Sequence, residues 1–64
     1  MNWTDSLDIA IALDEVHPEV NPSIVNFVDL RQMVITLDEF DDDANKSGEK
    51  ILEAIQIKWI EEKE

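Results

Sequence analysis

At 64 residues and 7.4 kDa the chain has room for one domain, and a domain of this size buries only about 60% of the surface its unfolded form exposes. Sixteen acidic residues against five basic ones leave a net charge of −11, yet 44% of residues are hydrophobic and only three are Gly or Pro, which argues against a disordered acidic tail. Without cysteine there is no disulfide, thiolate metal site or cysteine nucleophile; without a basic start or an apolar run of ~18 residues, the expectation is a soluble, cytoplasmic domain with no secretion signal and no membrane span.

In chain order, the first apolar-periodic segment runs from about Asp5 to His17. Thr4 is the expected cap, and Asp5 suits the positive end of the helix dipole. Ile9, Ala12, Leu13 and Val16 repeat at i, i+3, i+4 and i+7, which predicts one buried stripe, with Leu7 and Ile11 beside it. Pro18 stops this helix and Asn21-Pro22 marks a turn. Ile24 to Val28 is rich in β-branched residues and reads as a short extended segment, with Val25 and Phe27 pointing the same way. Asp29-Leu30-Arg31-Gln32 has the spacing of a capping box, with Asp29 as cap. Leu30, Met33, Val34 and Leu37 then predict a second helix of about two turns. Asp38 to Asp43 is an acidic connection with Phe40 as its one apolar anchor. Ser47 or Asn45 is expected to cap the last helix, whose buried face is Ile51, Leu52, Ile55, Trp59 and Ile60. Glu49, Glu53 and Gln56 are expected to face water. The fold class is therefore mainly α: three main helices with at most a short sheet near Val25 to Phe27.

The acidic connection is the strongest local feature, with Asp38, Glu39, Asp41, Asp42 and Asp43 placing five carboxylates in six residues. Such a run is ordinarily a solvated surface, but repulsion within it is relieved by a cation or by a basic protein surface. Phe40 pins the run to the core, so its charges hold fixed positions. A calcium-loop reading fails. With Asp43 as its first position, Asn45, Ser47 and Gly48 fall in place, but Ala54 stands where a bidentate Glu is required. What remains is a hard-oxygen surface for Fe²⁺ or similar ions, of weak affinity and little selectivity. His17, the only imidazole, reads as an exposed helix-end residue rather than a ligand. Catalysis finds no support: Ser6, Ser23 and Ser47 lack plausible partners, Gly48 is the sole glycine, and Trp3 and Trp59 read as core. Arg31 is the only cation of the second helix, so nucleic acid is not an expected partner. Mimicry of DNA by the acidic surface stays open as a minor reading.

Four stretches stand out together: Trp3-Thr4-Asp5-Ser6, Phe27-Val28-Asp29-Leu30, Asp38-Glu39-Phe40-Asp41-Asp42-Asp43, and Glu49-Lys50-Ile51-Leu52-Glu53-Ala54-Ile55 with Trp59. In this order they resemble the IscX family, the small acidic accessory proteins of bacterial iron–sulphur cluster assembly. The resemblance covers essentially the whole chain and implies a modified winged-helix domain that is a monomer. It also implies binding to the cysteine desulfurase IscS, in complexes with the scaffold IscU as well, weak binding of iron without a tightly held cofactor, and an adaptor role. The expected docking residues are Asp29, Asp38, Glu39, Asp41, Asp42 and Asp43, extended by Asp5 and Asp8 of the first helix. Asp38, Glu39, Asp41, Asp42 and Asp43 are also the expected iron ligands if the chain acts instead as an iron carrier. Leu7 and Ile11 depart from the family pattern, where polar residues are usual; packing into the chain's own core is the favoured reading, and a more apolar partner surface is the alternative.

Overall fold

The periodicities resolve into three helices in the computed structural model, which describes all 64 residues. These are α1 (Ser6–Val16), α2 (Phe27–Ile35) and α3 (Glu49–Lys63), with a single 3-10 turn at Ala44–Lys46 before α3. The mainly α expectation holds. No strand forms, so the extended segment read at Ile24 to Val28 is a correction: Phe27 and Val28 open α2 instead. The cause is a side-chain cap set three residues earlier than expected. The Asn26 Oδ1 atom accepts the Asp29 backbone N–H at 2.8 Å, and Asn26 Nδ2 donates to Asp29 Oδ2 at 3.2 Å. Asn26, not Asp29, is the cap, and a weak β propensity gives way to it.

The other two caps also move. Asp5 occupies the N-cap of α1 without a side-chain cap bond. Thr4 instead donates its N–H and hydroxyl to Asn2 Oδ1, at 2.9 and 2.6 Å, in a turn that precedes the helix. Gly48 occupies the N-cap of α3, again without a side-chain bond. Asn45 lies within the 3-10 turn, and Ser47 accepts from Arg31 Nε at 3.2 Å.

Trp3, Ile9, Ala10 and Leu13 pack with Leu52, Ile55 and Trp59, and Leu30, Val34 and Leu37 complete this buried cluster. Each large side chain so buried contributes roughly 1.5–3 kcal/mol relative to exposure. The α1 stripe is rotated slightly from expectation. Ala10 is fully buried, Ala12 only partly, and Val16 is exposed. Leu7 and Ile11 are likewise outside the core, at 49% and 38% exposure, because α1 carries more apolar surface than its neighbours cover.

Polar ties lock the helices. Lys63 Nζ lies 2.8 Å from Asp14 Oδ1 and donates to the Pro18 carbonyl at 2.9 Å, joining the ends of α3 and α1. Gln56, expected in water, is half-buried and donates to the carbonyls of Pro22 and Val25 at 2.8 and 3.3 Å. It thereby satisfies backbone groups that no helix or strand serves. Arg31 donates from Nη2 to the Ala44 carbonyl at 2.9 Å and fastens the 3-10 turn to α2. No helix is long and apolar enough to cross a membrane.

Replacing Asn26 by Ala should lower stability by about 1 kcal/mol, the usual cost of losing a side-chain cap. Thr4→Ala, which removes a hydroxyl bonded to Asn2 and capping no helix, should cost less. Urea unfolding followed by tryptophan fluorescence measures both.

Candidate functional site

Trp3 organises the acidic connection. Its indole is buried (2% exposed) against Phe40, with ring centroids 4.7 Å apart and planes at 69°. A buried indole N–H needs an acceptor, and the Asp43 carbonyl supplies it at 2.7 Å from Nε1. The Trp3 backbone N–H donates to Asp42 Oδ2 at 3.1 Å, and the Asp43 N–H donates to Asp42 Oδ1 at 2.7 Å. One residue pair further out, the Met1 amino group donates to the Glu39 carbonyl at 2.6 Å and to Asp41 Oδ1 at 3.2 Å. The Asp41 N–H returns a bond to the Met1 carbonyl at 3.0 Å. The connection is thus moulded around residues 1–3, and Phe40 anchors it as its position suggests.

These bonds sort the expected site residues. Asp42 is half-buried and accepts two backbone donors, and Asp43 Oδ1 accepts the Asn45 N–H at 2.9 Å to cap the 3-10 turn. Asp41 pairs with the amino terminus, although its side chain is 82% exposed. Asp5 accepts the Asn2 N–H at 3.0 Å. Asp29 is exposed in the first turn of α2 and tied to Asn26. Asp8, Asp38 and Glu39 are exposed, and their carboxylates take no hydrogen bond within the chain. No three acidic or histidine side chains are grouped as metal ligands. His17, half-buried rather than exposed, closes α1 through its backbone N–H to the Leu13 carbonyl at 2.8 Å.

The structure brings Asp8 of α1 to the same side as Asp38 and Glu39. Two adjoining depressions lie between α1 and the connection: Asp38 borders one and Asp8 the other, while Glu39 and Glu15 border both. Glu15 was missed in the sequence. Its signal was the spacing from Asp8: seven residues, two helical turns, one face. Asp29 borders neither depression. Charge is segregated along the chain as well. Residues 1–43 hold eleven of the sixteen acidic residues and one basic residue, Arg31, whose guanidinium is occupied internally.

The sequence profile of the iron–sulphur cluster assembly family matches residues 1–64. The chain belongs to this family, the IscX family. Among its relatives is an uncharacterized protein of Pseudomonas aeruginosa, 62% identical over 64 residues that span all of this chain and 97% of the relative. Membership gives the chain a role in iron–sulphur cluster assembly.

Two carboxylates titrate abnormally. The bond from the Trp3 N–H, reinforced by the Asp43 N–H, holds Asp42 below the usual carboxylate range. The Lys63 ammonium does the same for Asp14, opposed by partial burial and helped slightly by the indole of Trp59. That indole N–H approaches Asp14 without closing a hydrogen bond of full geometry. Since both values fall on folding, the stability each carboxylate contributes is complete above the unfolded value of about 3.9. It is lost as pH falls through the lowered folded value. Carboxyl NMR titration should therefore find Asp42 and Asp14 protonating below the usual aspartate range on acidification. Asp42→Asn should remove the Asp42 share of acid destabilisation, read from unfolding at successive pH values.

Proposed function

We propose that the chain is a non-catalytic adaptor that regulates iron–sulphur cluster assembly by docking its acidic face on a basic surface of the cysteine desulfurase IscS, with complexes that include IscU as its setting. The observation that carries this reading is the shared face of Asp8, Asp38 and Glu39, whose carboxylates are free of bonds within the chain. Asp29, exposed on α2, extends the docking set. Asp5, Asp41, Asp42 and Asp43 add to the field while holding the loop that presents it. Fixed like charges steer a basic partner into encounter and suppress acidic competitors. Tuning of sulphur transfer then follows from occupancy of the desulfurase surface, with no chemistry asked of this chain.

The test is stopped-flow association with the purified desulfurase across ionic strength. The combined Asp8→Asn, Asp38→Asn and Glu39→Gln variant should associate about ten-fold more slowly at low salt, with a smaller change in dissociation. The difference should shrink as salt shortens the Debye length from about 10 Å at 0.1 M. An unchanged association rate in this variant would place the contact elsewhere.

The iron-carrier reading rests on the same carboxylates. With Asp41, Asp42 and Asp43 already engaged in the loop, Fe²⁺ is expected to bind weakly, and Mn²⁺ or Ca²⁺ to compete with it. Anaerobic titration monitored by NMR should broaden signals around Asp38 to Asp43 first. A selective, sub-micromolar site that Ca²⁺ does not disturb would put the carrier reading ahead.

A further inference from the structure

The depressions between α1 and the connection have more than a charged rim. Met1, Ala12, Val16 and Leu37 give the narrower one an apolar lining, and its volume is about 140 Å³. Ile11 walls the adjoining depression, and Leu7 stands one turn before it on the same side of α1. The half-exposure of Leu7 and Ile11 is thus part of an apolar strip that leads into the groove.

The rim fixes what kind of occupant fits. It consists of Asp8, Glu15, Asp38 and Glu39, so it offers acceptors and no side-chain donor. The one cation at its edge, the Met1 amino group, is turned onto the Glu39 carbonyl and Asp41. A small-molecule site sets a few donors and acceptors convergently in one cavity, whereas these two depressions, of about 140 and 290 Å³, have a rim of acceptors alone. A second copy of a chain with net charge −11 would set acidic rim against acidic rim.

We propose that this groove receives one aliphatic side chain of a partner segment whose flanking residues are Lys or Arg. The apolar side chain displaces water from Ala12, Val16 and Leu37, while the flanking cations reach Asp8 and Glu15 on one side and Asp38 and Glu39 on the other. The inference rests on the acidic face being a docking surface. It adds an anchor that salt does not screen, and with it a means of telling the right basic segment from any other.

Two peptides titrated into the ¹⁵N-labelled full chain at low salt provide the test: acetyl-Arg-Lys-Leu-Lys-Arg-amide and the same peptide with Ser for Leu. The Leu peptide should bind about ten-fold more tightly, the discrimination expected of a small apolar difference in a pocket. Its largest shifts should fall on Ala12, Val16 and Leu37. Ala12→Leu fills the groove without changing any charge and should erase the advantage while leaving the Ser peptide unaffected. Ile11→Ser, at a partly exposed site, should reduce the same advantage should Ala12→Leu disturb folding. Equal binding of the two peptides, with shifts centred on the carboxylates, would overturn the groove and leave acidic docking standing. An unchanged association rate of the Asp8→Asn, Asp38→Asn and Glu39→Gln variant with the desulfurase, with the Leu preference intact, would do the reverse. No binding of either peptide overturns the proposal. So does concentration-dependent movement of the groove amides without peptide, which would assign the groove to a second copy.

Discussion

The burial of Trp3 is the constraint on which the acidic surface depends. Five carboxylates in six residues repel one another, and a connection of that composition has little reason of its own to hold one shape. The indole gives it one. Phe40 packs on the ring, the Asp43 carbonyl takes the indole N–H, and Asp42 takes the backbone N–H. Each bond uses a group that folding would otherwise leave unsatisfied beside a buried side chain. The charges are therefore presented by a surface whose form is set from beneath.

This arrangement divides labour among residues of like chemistry. Asp41, Asp42 and Asp43 spend carboxylate oxygens on the chain itself, whereas the carboxylates of Asp38 and Glu39 spend none. The free pair is carried toward α1, where Asp8 and Glu15 stand two turns apart. No lysine or arginine side chain lines this groove. Arg31 closes on the 3-10 turn, Lys63 closes on Asp14, and Lys58 makes an exposed pair with Glu61 at 3.6 Å. Two of the five basic residues are thus used to join elements, and none of the five borders either depression.

How far the fold was legible in the sequence follows from the range of the forces involved. Helical repeats of Leu30, Val34 and Leu37, or of Leu52, Ile55 and Trp59, report burial directly, and these residues are buried. Pro18 ends α1 as its ring requires. Caps were less legible because Asn26, Asp29, Thr4 and Asp5 are all competent cap residues, and local geometry chooses among them. Gln56 reads as a water-facing residue until the Pro22 and Val25 carbonyls are placed beside it. Leu7 and Ile11 illustrate the same limit: periodicity marks a helix as apolar without telling which part of the apolar surface finds a neighbour. At the site, the acidic tract and its Phe40 anchor were visible as a run. The meeting of Asp8 and Glu15 with Asp38 and Glu39 was not, since it joins residues distant in the chain through packing that only the fold supplies.

The central claim is that the face shared by α1 and the acidic connection is the surface this chain offers to its partner. The most direct measurement is amide hydrogen exchange, or NMR line broadening, of the full chain with and without the desulfurase. The account predicts that perturbation concentrates on Asp8 to Val16 of α1 and on Leu37 to Glu39, with the exposed side of α3 at Glu53 and Ile57 unaffected. A footprint centred on Glu53 and Ile57, with α1 and the connection unchanged, would contradict it.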